Sequence, residues 1–132
     1  NVAFGGSLHP RLHEVVGRLD HRENEADPID VQYGPAHSVS VRKDGVLAQI
    51  VGEAGFTVNS VHGQGINQLA SNLIIEAVAE DATVEAVSVK NAKNFALAVQ
   101  WHPEWLAWEN PQSDAIFKAF GAAARNYRAQ KR

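Results

Sequence analysis

The sequence predicts a mixed α/β domain, and three observations carry that expectation. Several strand-length runs, among them His37–Val41, Leu73–Ala79 and residues 84–90, are rich in β-branched residues or alternate apolar with polar ones. Residues 95–101 are almost continuously apolar, as a strand buried on both faces should be. The closing segment repeats Ala115, Ile116, Ala119, Phe120, Ala123, Ala124 and Tyr127 at helical spacing on one face.

In chain order, Asn1-Val2-Ala3-Phe4-Gly5-Gly6 reads as the last turn of a helix closed by glycine. A folded domain rarely starts inside an element, so a piece of a longer domain is expected. Residues 7–30 are polar and broken, with Glu23, Glu25 and Asp27 clustered before Pro28; they read as a surface loop with one short helical piece around 11–18. His37–Val41 alternates like a half-buried strand, and Lys43-Asp44-Gly45 turns the chain. Val46–Val51 reads as a helical turn, ended by Gly52. Residues 56–61 are strand-like and run into His62-Gly63-Gln64-Gly65. Leu73–Ala79 and 84–90 should pair antiparallel across Glu80-Asp81-Ala82. In the closing helix Asn110 can cap, Pro111 suits the first position, and Asp114 lies in the first turn.

With 45% hydrophobic and 20% charged residues, the 132-residue chain has a globular composition and enough length for one core. Residues 1–132 read as one domain or part of one, without repeats or linkers. A net charge of −3 gives no electrostatic reason to expect nucleic acid. The basic end, Arg125, Arg128, Lys131 and Arg132, reads as cations that a helix C-terminus favours. No stretch is long and apolar enough to span a bilayer and no signal peptide is visible, so neither membrane nor nucleic acid is an expected partner and the cytoplasm is the default location. The absence of cysteine excludes disulfides and cysteine-ligated metal within these residues.

Two constellations could carry chemistry. In Gln100-Trp101-His102-Pro103-Glu104, an extended backbone would place the i and i+2 side chains on one side, and Pro103 ends the ladder where a strand emerges. Glu104 could then hold the His102 imidazole in one tautomer while His102 relays a proton. Trp101, Trp105 and Trp108 could wall a water-poor site, although His-x-Glu alone also describes a surface ion pair. The second is Asn59-Ser60-Val61-His62-Gly63-Gln64-Gly65, whose glycines let backbone approach a ligand; it also reads as a plain turn after a strand. His9 and His13 have helical ligand spacing, but Pro10 lies between them and no third ligand is evident, so no zinc site is expected there. His21, beside Arg22 and Glu23, should be exposed. His37 is either a pocket residue or a structural one.

Four segments together resemble a known family: Asn1-Val2-Ala3-Phe4-Gly5-Gly6-Ser7-Leu8-His9, Gln32-Tyr33-Gly34-Pro35-Ala36-His37, Val58-Asn59-Ser60-Val61-His62-Gly63-Gln64-Gly65 and Ala98-Val99-Gln100-Trp101-His102-Pro103-Glu104-Trp105. In that order they resemble the γ-glutamyl-γ-aminobutyrate hydrolases, peptidase C26-like members of the class I glutamine amidotransferase-like hydrolases, which act in polyamine breakdown. The resemblance implies a flavodoxin-like α/β sheet with helices on both faces. This chain would form the C-terminal portion: later strands, an antiparallel excursion over 73–90, and the closing helix. It also implies a Cys-His-Glu triad, with His102 and Glu104 as two members and the cysteine in an N-terminal half ahead of Asn1. The thiolate would attack a γ-glutamyl amide, and His102 would protonate the departing amine and then activate water. Ser60, Val61, His62 and Gln64 would border the γ-glutamyl group, with no metal or organic cofactor.

The same resemblance implies that this polypeptide alone is inactive and exposes a sheet edge with apolar surface, so that it is insoluble or pairs with another chain; a homo-oligomer also fits. Two further readings stand beside it. One is the glutaminase subunit of an amidotransferase that passes ammonia to a synthase. The other is a non-catalytic remnant that binds a γ-glutamyl compound or a protein.

Overall fold

The computed structural model describes residues 1–131, and Arg132 of the basic end lies outside the described residues. The described residues form seven strands: β1 Ser7–His9, β2 His37–Val41, β3 Phe56–Val58, β4 Gly65–Gln68, β5 Leu73–Ala79, β6 Val84–Val89 and β7 Leu97–Val99. The helices are α1 Ile29–Gln32, α2 Val46–Val51 and α3 Pro111–Gln130, with short 3-10 turns at Val2–Phe4, Leu12–Glu14 and Ala107–Glu109. Five strands form one sheet in the order β3-β2-β5-β6-β7, and β1 pairs with β4 in a second. Every pair is antiparallel. The excursion expected over 73–90 therefore widens to the whole five-stranded sheet, because short reversals rather than long crossovers join its strands.

Local chemistry explains the element ends. Gly5, at φ +89, donates its N–H to the Val2 carbonyl and closes the first turn as expected. The β5–β6 reversal is an Asx-type turn: Asp81 Oδ1 accepts from the Thr83 N–H at 2.9 Å, and Ala82 takes a left-handed φ of +64. Asn110 caps α3 by accepting the Ser113 N–H at 2.9 Å, with Pro111 at the first position. At the start of α2 the acceptor comes from across the fold. Glu76 of β5, fully buried, receives the Leu47 N–H at 3.1 Å and the Ser88 hydroxyl at 2.6 Å. Gly45 leaves room for that carboxylate, since a Cβ there would collide with Glu76 Oε2.

The core joins Val39, Leu47, Val58, Ala77, Ala86, Trp101 and Ile116, with α2 and α3 packed on each other above the sheet. Segment 95–101 departs from its expectation. Only Leu97–Val99 is strand; β6 is its one strand partner among the described residues, and Ala98 is exposed while Leu97 and Val99 are half-buried. Its composition suits a central strand, but pairing on one side alone leaves it at the sheet edge. Phe117, Phe120 and Trp108 add exposed apolar surface.

Candidate functional site

The structure brings His102 and Glu104 together. As β7 ends, the Gln100 N–H donates to the Glu85 carbonyl at 2.7 Å, Trp101 drops into the core, and the chain emerges at His102. The loop after β3 then grips it. Asn59 accepts the His102 N–H at 2.8 Å and donates its Nδ2–H to the His102 carbonyl at 3.0 Å, so one side-chain amide fixes both backbone groups. Substituting Asn59→Asp keeps an acceptor for the N–H but sets a second oxygen against the carbonyl. The expected loss is about 1–3 kcal/mol of stability in denaturant melts, and an unchanged midpoint would show that the clamp carries no weight.

His102 Nδ1 lies 2.6 Å from Glu104 Oε1. This short contact assigns the Nδ1 proton to the Glu104 side, while Nε2 has no hydrogen bond among the described residues. Burial works against the Glu104 charge, but the hydrogen bond and charge of His102 outweigh it and hold the carboxyl below its ordinary range. Tyr33 stands edge-on to the His102 ring at 5.5 Å and stacks near Trp105 at 5.0 Å. Together with Asn59 and Leu106 these residues line a cleft of about 280 Å³. Two expectations change here. Trp108, 77% exposed, does not wall the site, and the Glu104 side chain is itself mostly in solvent. The described residues form one open side of a site rather than a water-poor cavity.

The Ser60–Gln64 loop follows Asn59 directly, but among the described residues none of its members lines the cleft, and its side chains divide. Ser60 is buried and donates its hydroxyl proton to the His21 carbonyl at 2.8 Å. His62 places Nδ1 2.7 Å from the Gln64 carbonyl and turns Nε2 inward, 3.5 Å from Glu85 Oε1. Val61 and Gly63 remain half-buried, and Gln64 is exposed. The groups this loop leaves accessible are therefore its backbone and the Val61 and Gln64 side chains more than those of Ser60 or His62.

What lies beneath the loop was not anticipated. His21, expected to be exposed, is 1% exposed and is among the most buried side chains. Its charged sequence neighbours point outward, as in the Asp20–Arg22 pair, while its own ring is enclosed by residues some 60 positions away. His21 Nε2 is 2.9 Å from Asp81 Oδ2, and His21 Nδ1 is 3.4 Å from Glu85 Oε1. His37 Nε2 reaches the same Glu85 oxygen at 3.6 Å. His37 is thus part of a buried cluster rather than of the cleft. Among the described residues neither Glu85 oxygen has a hydrogen-bond donor, although Glu85 is 1% exposed. The one sequence signal was an acidic residue set inside the apolar run of β6. His9 and His13, by contrast, occupy a strand and a 3-10 turn, so no shared helical face forms between them.

Comparison with known proteins shows the family and the fold. The family model for peptidase C26 matches residues 1–104. The γ-glutamyl-γ-aminobutyrate hydrolase of Escherichia coli is 45% identical over 131 residues, covering 98% of this chain and 51% of that protein. A Mycobacterium tuberculosis protein provisionally named a glutamine amidotransferase is 35% identical over 127 residues, covering 96% of this chain and 37% of its own length. The chain spans about half the length of the hydrolases it matches. The crystal structure of a Thermoplasma acidophilum protein, provisionally described as one of the subunits of a GMP synthase, superposes with a TM-score of 0.64 over 99% of this chain and 55% of that one, at 20% identity. That likeness shows a shared mixed α/β fold.

Proposed function

The chain belongs to the peptidase C26 family, and from that premise we propose that it supplies the histidine and carboxylate of a Cys-His-Glu hydrolase acting on γ-glutamyl amides. The observation that carries this reading is the 2.6 Å His102–Glu104 pair, held at the cleft by the Asn59 clamp with Nε2 left free. The 132 residues contain no cysteine, so the thiol that His102 serves belongs to another segment of polypeptide.

In this mechanism His102 Nε2 takes the thiol proton, and the thiolate attacks the γ-carbonyl to form a glutamyl thioester. The imidazolium then gives its proton to the departing amine. Water, activated by the same nitrogen, releases glutamate and restores the thiolate. Glu104 keeps the ring in the required tautomer and stabilises its charged form. The backbone of the Ser60–Gln64 loop, with the Val61 and Gln64 side chains, borders the γ-glutamyl group. The amine half is of γ-aminobutyrate or polyamine type.

Joining or mixing this chain with a cysteine-bearing N-terminal segment of a family member tests the proposal. Glutamate release from γ-glutamyl-γ-aminobutyrate is expected from the combination and not from this chain alone. Turnover by the chain alone, or none by a folded combination, would overturn it. The name of the mycobacterial relative favours a second reading, a glutaminase subunit; ammonia release from glutamine that rises only when a synthase is added would select it. A combination that binds γ-glutamyl compounds without turnover would select a binding role.

A further inference from the structure

We propose that His21, His37, His62 and Glu85 form a buried binding site for a divalent transition-metal ion of the zinc class, distinct from the His102–Glu104 cleft. The donors converge from four parts of the chain: the loop before α1, the start of β2, the loop after β3, and β6. The nearest donor atoms of His21, His37 and Glu85 all lie within 4.8 Å of one another. His62 approaches the same Glu85 oxygen from the loop above.

The far nitrogen of each ring fixes what the near nitrogen can be. His37 Nδ1 and His62 Nδ1 face the Ser38 and Gln64 carbonyls at 3.3 and 2.7 Å, and a carbonyl only accepts, so both nitrogens carry hydrogen. His21 Nε2 faces Asp81 Oδ2, which also receives the Leu19 N–H and the Thr83 hydroxyl, so that nitrogen carries hydrogen as well. The Ser60 hydroxyl, 3.2 Å from His21 Nδ1, spends its proton on the His21 carbonyl. The rings thus turn His21 Nδ1, His37 Nε2 and His62 Nε2 toward one carboxylate. His37 Nε2, His62 Nε2 and both Glu85 oxygens are buried without a hydrogen-bond partner. Orientation of metal-bound histidines by carboxylates and carbonyls on the opposite ring nitrogen is the usual support of such sites.

A single divalent cation would balance the two carboxylates, Asp81 and Glu85, and give the three ring nitrogens and the Glu85 oxygens one common partner in a site closed to water. The spacings favour it as well. At 3.4, 3.5 and 3.6 Å the nitrogen–Glu85 separations exceed a hydrogen bond. Ligands bonded at about 2.0–2.2 Å in a tetrahedron stand about 3.3–3.6 Å apart. Imidazole and carboxylate donors suit zinc-class ions better than magnesium or calcium. An ion here would tie the sparsely structured residues 10–28 and the Ser60–Gln64 loop to the sheet, which makes its role structural.

The test uses the protein as purified, stripped with chelator and then given Zn2+ or Co2+ alone. About one equivalent should be retained after gel filtration, with a melting temperature raised by about 5 °C or more and the intense visible bands of a four-coordinate Co2+ site. Glu85→Gln and His37→Gln should each lose the retained ion, whereas His9→Ala and His13→Ala should keep it. If either ligand variant fails to fold, the Co2+ spectrum of the unaltered protein decides between imidazole–carboxylate ligation and none. Retention far below one equivalent with no thermal shift, a pale six-coordinate spectrum, or uptake undiminished in both folded ligand variants would overturn the proposal.

Discussion

Replacing His102 with alanine in the cysteine-complemented protein should lower kcat by about 10²–10⁴-fold, the usual contribution of a positioned acid–base group. The fold should survive, because the backbone of residue 102 is held by Asn59 rather than by the imidazole, which is only partly buried. Glu104→Gln should do less harm: it keeps an oxygen near Nδ1 but loses the charge that stabilises the imidazolium. Its loss should fall on kcat more than on KM, since Glu104 acts through His102 and not on the substrate. Melting should hardly change, because the Glu104 side chain is 62% exposed and an exposed pair adds little stability. Since the Glu104 carboxyl is held below its ordinary range, its contribution is present above the unfolded value of about 4.3 and disappears only as pH falls through the lower folded value. Protonation of Glu104 should therefore leave neutral-pH turnover untouched. Near-normal turnover in His102→Ala would sink the triad assignment.

Elements with short-range signals were legible in the sequence. His37–Val41 and Leu73–Ala79 declare themselves by alternation and β-branching, Val46–Val51 by the glycine that ends it, and α3 by Asn110 and Pro111. Features made by distant partners were not. β1 and β4 are three and four residues long and pair residues 7–9 with 65–68, so neither has a pattern of its own. His21 carries no local mark of burial, because Asp81 and Glu85 enclose it from a hairpin 60 residues away. The same limit applied to the site. His102-Pro103-Glu104 could be read as a pair from adjacency, whereas the Asn59 grip on residue 102 exists only once β3 and β7 are placed in one sheet. Glu76 and Glu85 were the signals passed over: acidic residues inside apolar strands, the first bonded to Ser88 and the Leu47 N–H, the second enclosed by His21, His37 and His62.

Trp101→Ala should be among the most destabilising single changes, at about 3–5 kcal/mol for removal of a buried aromatic, against a total of about 5–15 kcal/mol for a typical domain. Trp101 is 5% exposed and meets Phe56 edge-on at 5.7 Å within the core. That contact has a consequence for the site. Phe56 opens β3, and the strand leads within three residues to Asn59, which holds the backbone of the residue after Trp101. The indole–phenyl contact and the Asn59–His102 clamp therefore tie the same two segments together. Trp101→Phe should recover part of the loss, because an aromatic edge still reaches Phe56. Trp101→Ala and Asn59→Asp should also be non-additive, with an interaction energy of about 0.5–3 kcal/mol in a double-mutant cycle, as for residues that share a support. Strict additivity would mean that core packing and His102 positioning are independent. Coupling would mean that the apolar run before His102 serves to aim the imidazole as well as to fill the core.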